Sequence, residues 1–428
     1  MPILALPSGT LRLSRFGLAT ALVGAFALSA ARADDSQKTT VTYAKHVSRI
    51  MQERCQVCHH KGTSAPFSLM TFEDVQRKAK GIRDAVADNR MPPWHADPHF
   101  GKFSNDRRLS DEQKQTLLTW IDAGCPQGDK KDLPPAKEFA DGWVIGKPDI
   151  VFELPAEQKV QAEGVVDYQY FVTKTNFKED VLVQAAEARP GNRKVVHHII
   201  VSFRDPKAPR RGQGDGCGQN MIVGTAPGDM PQIFKPGTAR KIPAGSELVW
   251  QMHYTPTGKP ETDKSQVGFI VYKGKEPPTH AALTQGIMNT ELKIPAGADN
   301  QKFESEWRLR EDATIFSFMP HMHVRGKAFE YKAIYPDGRS EVLLSVPKYD
   351  FNWQTMYRLE TPMKLPKGTR IHCTAHFDNS TKNPANPDPT KDVYWGDQTW
   401  EEMLIGWVDY YVDKPATKNT PKPKTTSE

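Results

Sequence analysis

Apolar residues recur with two different spacings along this 428-residue chain. Before about residue 125 they return every three or four positions, which is the spacing of an amphipathic helix, as in the series Phe72, Val75, Ile82 and Val86. We predict three helices here, at residues 43–54, 71–89 and 110–124. The third has Ser110 as its N-cap and ends at Gly124.

Beyond residue 148 the helical spacing disappears. Short runs rich in β-branched and aromatic residues, such as "VVHHIIVSF" and "TIFSFMPHMHV", alternate with Pro, Gly and Asn turns up to about residue 413. Many short strands at this spacing are typical of antiparallel sandwiches. The predicted fold is therefore multidomain, a small all-α domain followed by two all-β, jelly-roll-like antiparallel sandwiches.

The predicted boundaries follow from changes in composition. They are a signal peptide at 1–33, the helical domain at 34–130, a charged and Pro-containing linker at 131–147, β domains at 148–282 and 283–413, and a disordered polar tail at 414–428.

The first 33 residues have the pattern of an export signal. Arg12 and Arg15 precede an apolar stretch, and Ala31-Arg32-Ala33 supplies small residues for cleavage. The apolar stretch is shorter than the roughly 20 residues that a membrane span needs, which disfavours a membrane anchor. We expect a periplasmic or secreted protein without stable membrane insertion.

The charge of the chain argues against nucleic acid as a partner. The formal net charge is +6, and it falls by three, to +3, without Arg12, Arg15 and Arg32. The basic runs are interrupted by Pro and Gly, which favours solvated loops over a track for phosphates.

The sequence Cys55-Gln56-Val57-Cys58-His59 is a C-x-x-C-H haem attachment motif. It predicts one covalent haem c, with thioethers at Cys55 and Cys58 and His59 as an axial iron ligand. With its three helices, the region resembles a small cytochrome c domain. Met91, in "MPPWHADP", is the preferred sixth ligand. The competitors are Met70, His95 and His99.

Five of the thirteen histidines lie in three β-rich runs. His321 and His323 are two residues apart, so in a strand they point to the same face about 6.5 to 7 Å apart, with Met322 on the other face. Adjacent residues alternate faces, so His197 and His198 can share one metal with His253 only if the strand is bulged or ends there. Imidazole-rich sites suit copper or zinc.

This ordered set resembles the copper type II, ascorbate-dependent monooxygenases that hydroxylate peptidylglycine and dopamine. The resemblance covers roughly residues 148–413 and implies two packed antiparallel β domains with one copper each. It implies an electron-transfer copper at His197, His198 and His253. It also implies a catalytic, oxygen-binding copper at His321, His323 and Met403, in a sequence "EEM" that precedes "WVDYY".

The activity implied by the resemblance is hydroxylation of a C–H bond with dioxygen. The partners are then a small organic substrate, dioxygen, and an external electron donor to the haem, which passes electrons to the copper module. A haem and copper protein that only transfers electrons or binds copper remains the alternative.

The chain also departs from the family. Met319 and Ile405 replace an arginine and an asparagine that hold a substrate carboxylate in the peptide-amidating members, which indicates a less polar substrate. Leu404 replaces a cysteine that is paired in other members. The substrate, the oligomeric state and the roles of five further residues stay open, namely Cys125, Cys217, Cys373, His372 and His376.

Overall fold

The computed structural model describes residues 40–63, 65–139, 142–207, 220–226 and 231–412. The predicted signal peptide, the predicted tail and Cys217 lie outside these ranges. Among the described residues, no helix has both the length and the apolar character required to cross a membrane.

Helices are present at the three predicted places, but the second predicted helix is interrupted at Lys78 and forms two short helices. Helix α1 consists of consecutive helical turns at Tyr43–Val47, Ser48–Ile50 and Met51–Cys55; it is followed by α2 (Phe72–Arg77), α3 (Ala79–Ala87) and α4 (Asp111–Asp122). The hydroxyls of Thr42, Thr71 and Ser110 accept N–H bonds at the starts of α1, α2 and α4. Their apolar faces pack together around Met51 and Trp120, both fully buried.

In the first half of the β region, the described residues form eleven strands. They are β1 (Ile150–Glu153), β2 (Gln158–Val160), β3 (Gln169–Lys174), β4 (Val181–Arg189), β5 (Val196–Arg204), β6 (Met221–Thr225), β7 (Gln232–Ile233), β8 (Thr238–Ile242), β9 (Glu247–Tyr254), β10 (Glu261–Asp263) and β11 (Gln266–Val271).

The second half contains ten. They are β12 (His280–Met288), β13 (Lys293–Ile294), β14 (Gln301–Arg308), β15 (Ala313–His321), β16 (Gly326–Ile334), β17 (Ser340–Val346), β18 (Tyr357–Leu365), β19 (Arg370–Phe377), β20 (Val393–Tyr394) and β21 (Ile405–Val412).

These strands form two sandwiches that share one sheet. The shared sheet has the order β1-β11-β4-β8-β12-β21-β15-β18, with β7 beside β4. In the first half it packs on the sheet β3-β9-β5-β6 around one apolar core, and in the second half on the sheet β14-β19-β16-β17 around another. The predominantly β prediction for residues 148–413 is confirmed.

The two halves are joined where β8 pairs with β12 in parallel, through Thr238 with His280 and Ala239 with Ala281. Beside this junction Arg240 is buried and pairs with Asp409 at 3.5 Å. The hydroxyls of Thr284 and Ser317 donate to the same carboxylate. The contact between the halves is therefore a hydrogen-bonded sheet with a buried polar network next to it.

One segment of the helical region packs in the second β core. Trp94, Ala96 and Phe103, which lie between α3 and α4, are buried among the apolar side chains of that core. In contrast, residues of the predicted linker lie on α1, where the Gln52 amide donates to Pro135 O at 2.8 Å. The helical region thus contacts the second β half through the chain between α3 and α4.

Candidate metal centres

Three histidines of the first β half converge in one place. In the pairing of β5 with β9, Val196 faces Tyr254 and His198 faces His253, so the register shifts by one residue at His197. This β-bulge rotates His197 to the side of the strand occupied by its neighbour. One ligand atom from each of His197, His198 and His253 lies within 4.8 Å of the others. The bulge that the sequence required for a shared site is present.

The rings of this cluster are arranged as neutral metal ligands. Burial lowers the pKa of His197, and it lowers the pKa of His253 to about 3 with a smaller effect from His197. His198 has a pKa well below its ordinary value, first because of burial and then because of His253. Metals bind the deprotonated imidazole, so these rings are ready to bind without losing a proton at neutral pH.

In this cluster, the ring nitrogens without a hydrogen-bond partner are the candidate ligand atoms. The Nδ1 atoms of all three rings are buried and have no hydrogen-bond partner among the described residues. His198 Nε2 lies 3.2 Å from Gln251 Oε1, so Nε2 holds the proton and Nδ1 is left with a lone pair. Three unpartnered Nδ1 atoms form a donor set that fits copper or zinc.

The second predicted centre lies at the end of β15. His321 is the last residue of the strand and His323 follows it, with ring centroids 5.3 Å apart. Met322 points into the apolar core on the other side, as its alternation predicted. In the pairing of β15 with β21, His321 faces Ile405, which lies two residues after Met403 along the chain.

Burial also keeps these two rings neutral. It lowers the pKa of His321 to about 4 and that of His323 to about 3. His321 Nδ1 lies 2.8 Å from Gln354 Oε1, and His323 Nδ1 lies 3.1 Å from Glu401 O. Each Nδ1 is therefore the protonated nitrogen, and Nε2 is the atom available to a metal. His323 Nε2 is buried without a partner among the described residues.

Glu402 is the polar centre of this second site. It is fully buried, and its carboxylate accepts N–H bonds from His323 at 2.8 Å, Arg325 at 2.6 Å and Met403 at 3.3 Å. Burial raises its pKa to about 8, against the opposing effect of these N–H groups and of the Arg325 charge. Glu402 therefore fixes the backbone on both sides of the predicted histidine and methionine ligands.

Two aromatic rings lie between the histidine clusters. The Tyr168 ring is 4.7 Å from that of His253 and 6.1 Å from that of His323. The Phe351 ring is 6.0 Å from each of His197 and His323, and it is nearly parallel to the His197 ring. The two candidate centres are therefore neighbours separated by a single layer of aromatic side chains.

An apolar cluster adjoins Met403. Its buried members come from β6, β15 and the start of β21: Met221, Met319, Met403, Ile405 and Trp407. Met319 and Ile405, the two departures from the family pattern, are thus in contact with an apolar surface that contains the predicted copper ligand.

The C-x-x-C-H motif forms a compact turn after α1. The N–H groups of Cys58 and His59 both donate to Cys55 O, at 3.1 and 2.9 Å. His59 Nδ1 lies 3.1 Å from Phe67 O, which assigns the proton to Nδ1 and leaves Nε2 for an axial metal bond. These features fit a covalently attached haem.

The candidates for the sixth iron ligand lie in different surroundings. Met91 is half-buried just after α3, where its N–H donates to Ala85 O at 3.2 Å. His99 is exposed and its ring is paired with Asp97 at 2.6 Å, whereas His95 is half-buried and Met70 lies just before α2. Met91 as the sixth ligand stays a prediction, with Met70, His95 and His99 as its competitors.

Four of the residues without an assigned role lie within the described ranges, and they belong to other parts of the fold than the two histidine clusters. Cys373 is fully buried in the second β core, and Cys125 is buried in the helical core. His372 lies 3.2 Å from Glu304 on the outer sheet, and His376 is on the same strand.

Sequence reasoning missed several residues that contact the predicted ligands. Gln251 precedes His253 by two residues and so shares its strand face, and Glu402 is next to Met403; both positions were visible in the sequence. Tyr168, Phe351 and Gln354 lie far from the histidines in sequence and in loops, where no periodicity identifies them.

Comparison with known families agrees with the second β half. Residues 284–425 match the model of the copper type II ascorbate-dependent monooxygenase, C-terminal domain. Over this region the chain is similar to copper-dependent monooxygenases, which are oxidoreductases, and the predicted resemblance is confirmed there. No curated protein is significantly similar in sequence. The predicted cytochrome resemblance stays a prediction.

Solved structures are similar only at a low level. The major capsid protein P2 of bacteriophage PM2 has 9% identity and a TM-score of 0.24 over 63% of this chain and 99% of its own. The infectious bursal virus T=1 particle protein has 6% identity and a TM-score of 0.20 over 63% and 71%. Allantoicase from Saccharomyces cerevisiae has 7% identity and a TM-score of 0.17 over 59% and 80%. No argument about fold or function rests on them.

Proposed function

We propose that this chain is an exported monooxygenase containing haem and two coppers, which hydroxylates a C–H bond of a small organic substrate with dioxygen. The observation that supports this most directly is the proximity of two different donor sets, three histidine Nδ1 atoms and the Nε2 atoms of a His-x-His pair. The second set lies in the region similar to copper monooxygenases.

The residues of the two centres suit different tasks. His197, His198 and His253 would hold a copper that exchanges electrons, since three imidazoles support both of its oxidation states. His321, His323 and Met403 would hold the second copper, where the soft thioether favours copper(I). When bound, copper supplies one-electron redox chemistry and an affinity for dioxygen.

The substrate is proposed to be small and uncharged. Met319, Ile405 and Trp407 present an apolar wall next to Met403. A substrate carboxylate placed there would lose its hydration without gaining a partner from this wall, which costs several kcal/mol. An apolar molecule would displace water from the same surface and keep the reacting C–H bond away from solvent.

The cytochrome-like domain is proposed to deliver the electrons. Cys55 and Cys58 would attach the haem, and His59 Nε2, with Met91 as the sixth ligand, would hold its iron. The electrons would come from an external donor outside the cytoplasm. Intact mass after expression with cytochrome maturation factors should show one haem added to the cleaved chain.

The test of the oxygenase activity is oxygen consumption by the mature, copper-loaded protein with a chemical reductant. Consumption should require a small uncharged organic substrate and yield one hydroxylated product for each dioxygen. The His321→Ala variant serves as the control and should be inactive. Two bound coppers without any substrate-dependent oxygen uptake would instead identify an electron carrier or copper-binding protein.

A further inference from the structure

The chain between α3 and α4 is hydrogen-bonded to the second β half on both sides of one loop. We call residues 94–106 the strap and residues 347–356, between β17 and β18, the bridging loop. Before the loop, Asp97 N donates to Ser345 O at 2.8 Å. After it, Ser104 N donates to Arg358 O at 2.8 Å, and Glu360 N donates to Lys102 O at 2.9 Å.

Side chains strengthen this attachment. The Asn105 amide donates to Met356 O at 2.7 Å and accepts from Arg358 N at 3.0 Å. The Trp94 ring lies 4.9 Å from Tyr357, and Phe103 lies 5.5 Å from the same tyrosine. The strap is therefore an additional edge of the second sandwich, anchored by backbone bonds and by the buried side chains of Trp94 and Phe103.

The backbone of the strap packs closely against β17 at Gly101. Gly101 has a φ of +72°, and a Cβ at this position would lie 2.7 Å from Leu343 O. Such an approach is open only to glycine. The strap thus contacts β17 as closely as a strand backbone can.

The bridging loop in turn contacts the histidines of both candidate centres. Phe351 lies against His197 and His323, and Gln354 bonds His321 Nδ1. The loop is also fixed to the chain between the two histidines of the pair, because Tyr349 Oη donates to Met322 O at 2.8 Å. Packed atoms therefore continue from the helical domain, through the strap, to the ligands of both sites.

We propose that the strap and the bridging loop form the built-in electron entry of the protein, leading from the haem-binding residues through Trp94 and Phe351 to the three-histidine centre. This inference rests on the proposed function for its two end points. Three features on the page indicate this direction: Trp94 lies three residues after Met91, the strap ends on both sides of the loop, and Phe351 is nearly parallel to His197, 6.0 Å away.

The step transfers a single electron. Iron(II) of a haem held at Cys55 and Cys58 is oxidised to iron(III), and copper(II) held by His197, His198 and His253 is reduced to copper(I). No bond or proton changes place, and the external donor reduces the iron again. Because both modules are fixed in one fold, the step is intramolecular and does not require collision between molecules.

The test is flash reduction of the haem in the mature, full-length, copper(II)-loaded protein without oxygen. Absorbance follows the re-oxidation of the haem, and the copper(II) electron paramagnetic resonance signal reports the acceptor. In the unmodified protein the rate should not depend on protein concentration. Phe351→Leu should slow re-oxidation, because loss of the ring removes the packed contact between the bridging loop and His197. Phe351→Tyr keeps the ring and should restore most of the rate.

Matched controls separate the route from general damage. Phe316→Leu changes another half-buried phenylalanine, which packs on Phe234 and Tyr411, and should leave the rate unchanged. An unaltered haem rate in Phe351→Leu with both coppers bound would overturn the proposal.

If Phe351→Leu binds less copper, a second variant tests the electron route. Asn105→Ala removes the two bonds of the Asn105 amide, one to Met356 in the bridging loop and one to Arg358 in β18, and touches no predicted ligand. It should also slow haem re-oxidation. Asn289→Ala is its control, since Asn289 likewise bonds one carbonyl and one N–H. Equal rates in these two variants would refute the route.

Failure of the route and failure of the oxygenase proposal give different results. Hydroxylation driven by a small chemical reductant reports the copper chemistry alone and should survive in Asn105→Ala. Electron transfer that depends on Phe351 in a protein that never hydroxylates would leave the route standing and remove the oxygenase function.

Discussion

The two histidine clusters are neighbours but are held in opposite ways. In the first, a bulge in β5 and its register with β9 bring one ring nitrogen from each of three histidines within 4.8 Å of the others. In the second, the histidines lie at and beyond the end of β15, and their orientation depends on Gln354, on the Glu401 carbonyl and on the Glu402 carboxylate. The first site is a property of the sheet, whereas the second depends on buried polar partners.

This contrast bears on how each centre responds to substitution. A site positioned by backbone register tolerates changes outside its own strands, since the ladder of hydrogen bonds fixes the side-chain directions. A site positioned by buried polar groups is vulnerable to the loss of any one of them, because an unpaired buried group is costly. Three predictions, in order of decreasing effect, test this difference.

The largest effect is expected from the predicted ligands themselves. His323→Ala should remove one copper and abolish hydroxylation while the three-histidine centre keeps its copper, because Nε2 of this ring is a direct donor. Copper content and the paramagnetic signal of the remaining ion measure this. His372→Ala, on the outer sheet, is the control. Two coppers at full occupancy in His323→Ala would contradict the assignment of the second centre.

A smaller but global effect is expected from the buried carboxylate. Glu402→Ala leaves three backbone N–H groups without their acceptor and should lower the free energy of unfolding by about 3 kcal/mol or more. Copper should be lost first from the second centre. Denaturant unfolding and copper titration measure the two effects. Glu401→Ala is the matched control, since its side chain is not the acceptor of these three groups. Equal stability of both variants would refute the role of Glu402.

The smallest effect is expected from the amides that orient one ring in each cluster. Gln354→Ala should weaken copper binding at the second centre, and Gln251→Ala at the first, each by about 10- to 100-fold, as is typical of such partners. Because the β-bulge also positions the histidines of the first cluster, the loss of copper affinity in Gln251→Ala should be at the lower end of this range. Competitive copper titration with a chelator compares them. A greater loss in Gln251→Ala than in Gln354→Ala would reverse the contrast drawn here.

The sequence predicted the elements of the fold better than their assembly. Helices with capped starts and regular apolar spacing, such as α4 after Ser110, follow from local chemistry. The shared sheet does not, because the short pairing of Thr238 and Ala239 with β12 depends on contacts between distant parts of the chain. Nor does the strap, since the apolar Trp94 and Phe103 are equally compatible with a helical core.

The candidate site shows the same division. His321 and His323 were predicted together because two residues along a strand return to one face, and the bulge at His197 was a stated requirement. The side chains that contact His321 and His323 from the bridging loop could not be predicted in the same way. Phe351 and Gln354 are ordinary residues in sequence, and they acquire a role only when β17 and β18 place their loop between the clusters.

The parallel junction of β8 and β12 also has a mechanical consequence. A hinge motion that separated the two halves would have to open a sheet and disrupt the buried polar network of Arg240 and Asp409. Domains joined only by a flexible linker pay no such cost and move freely. The continuous sheet therefore holds the two clusters at a fixed distance from each other. We expect small molecules to reach them through rotations of individual side chains, which are faster than domain motions.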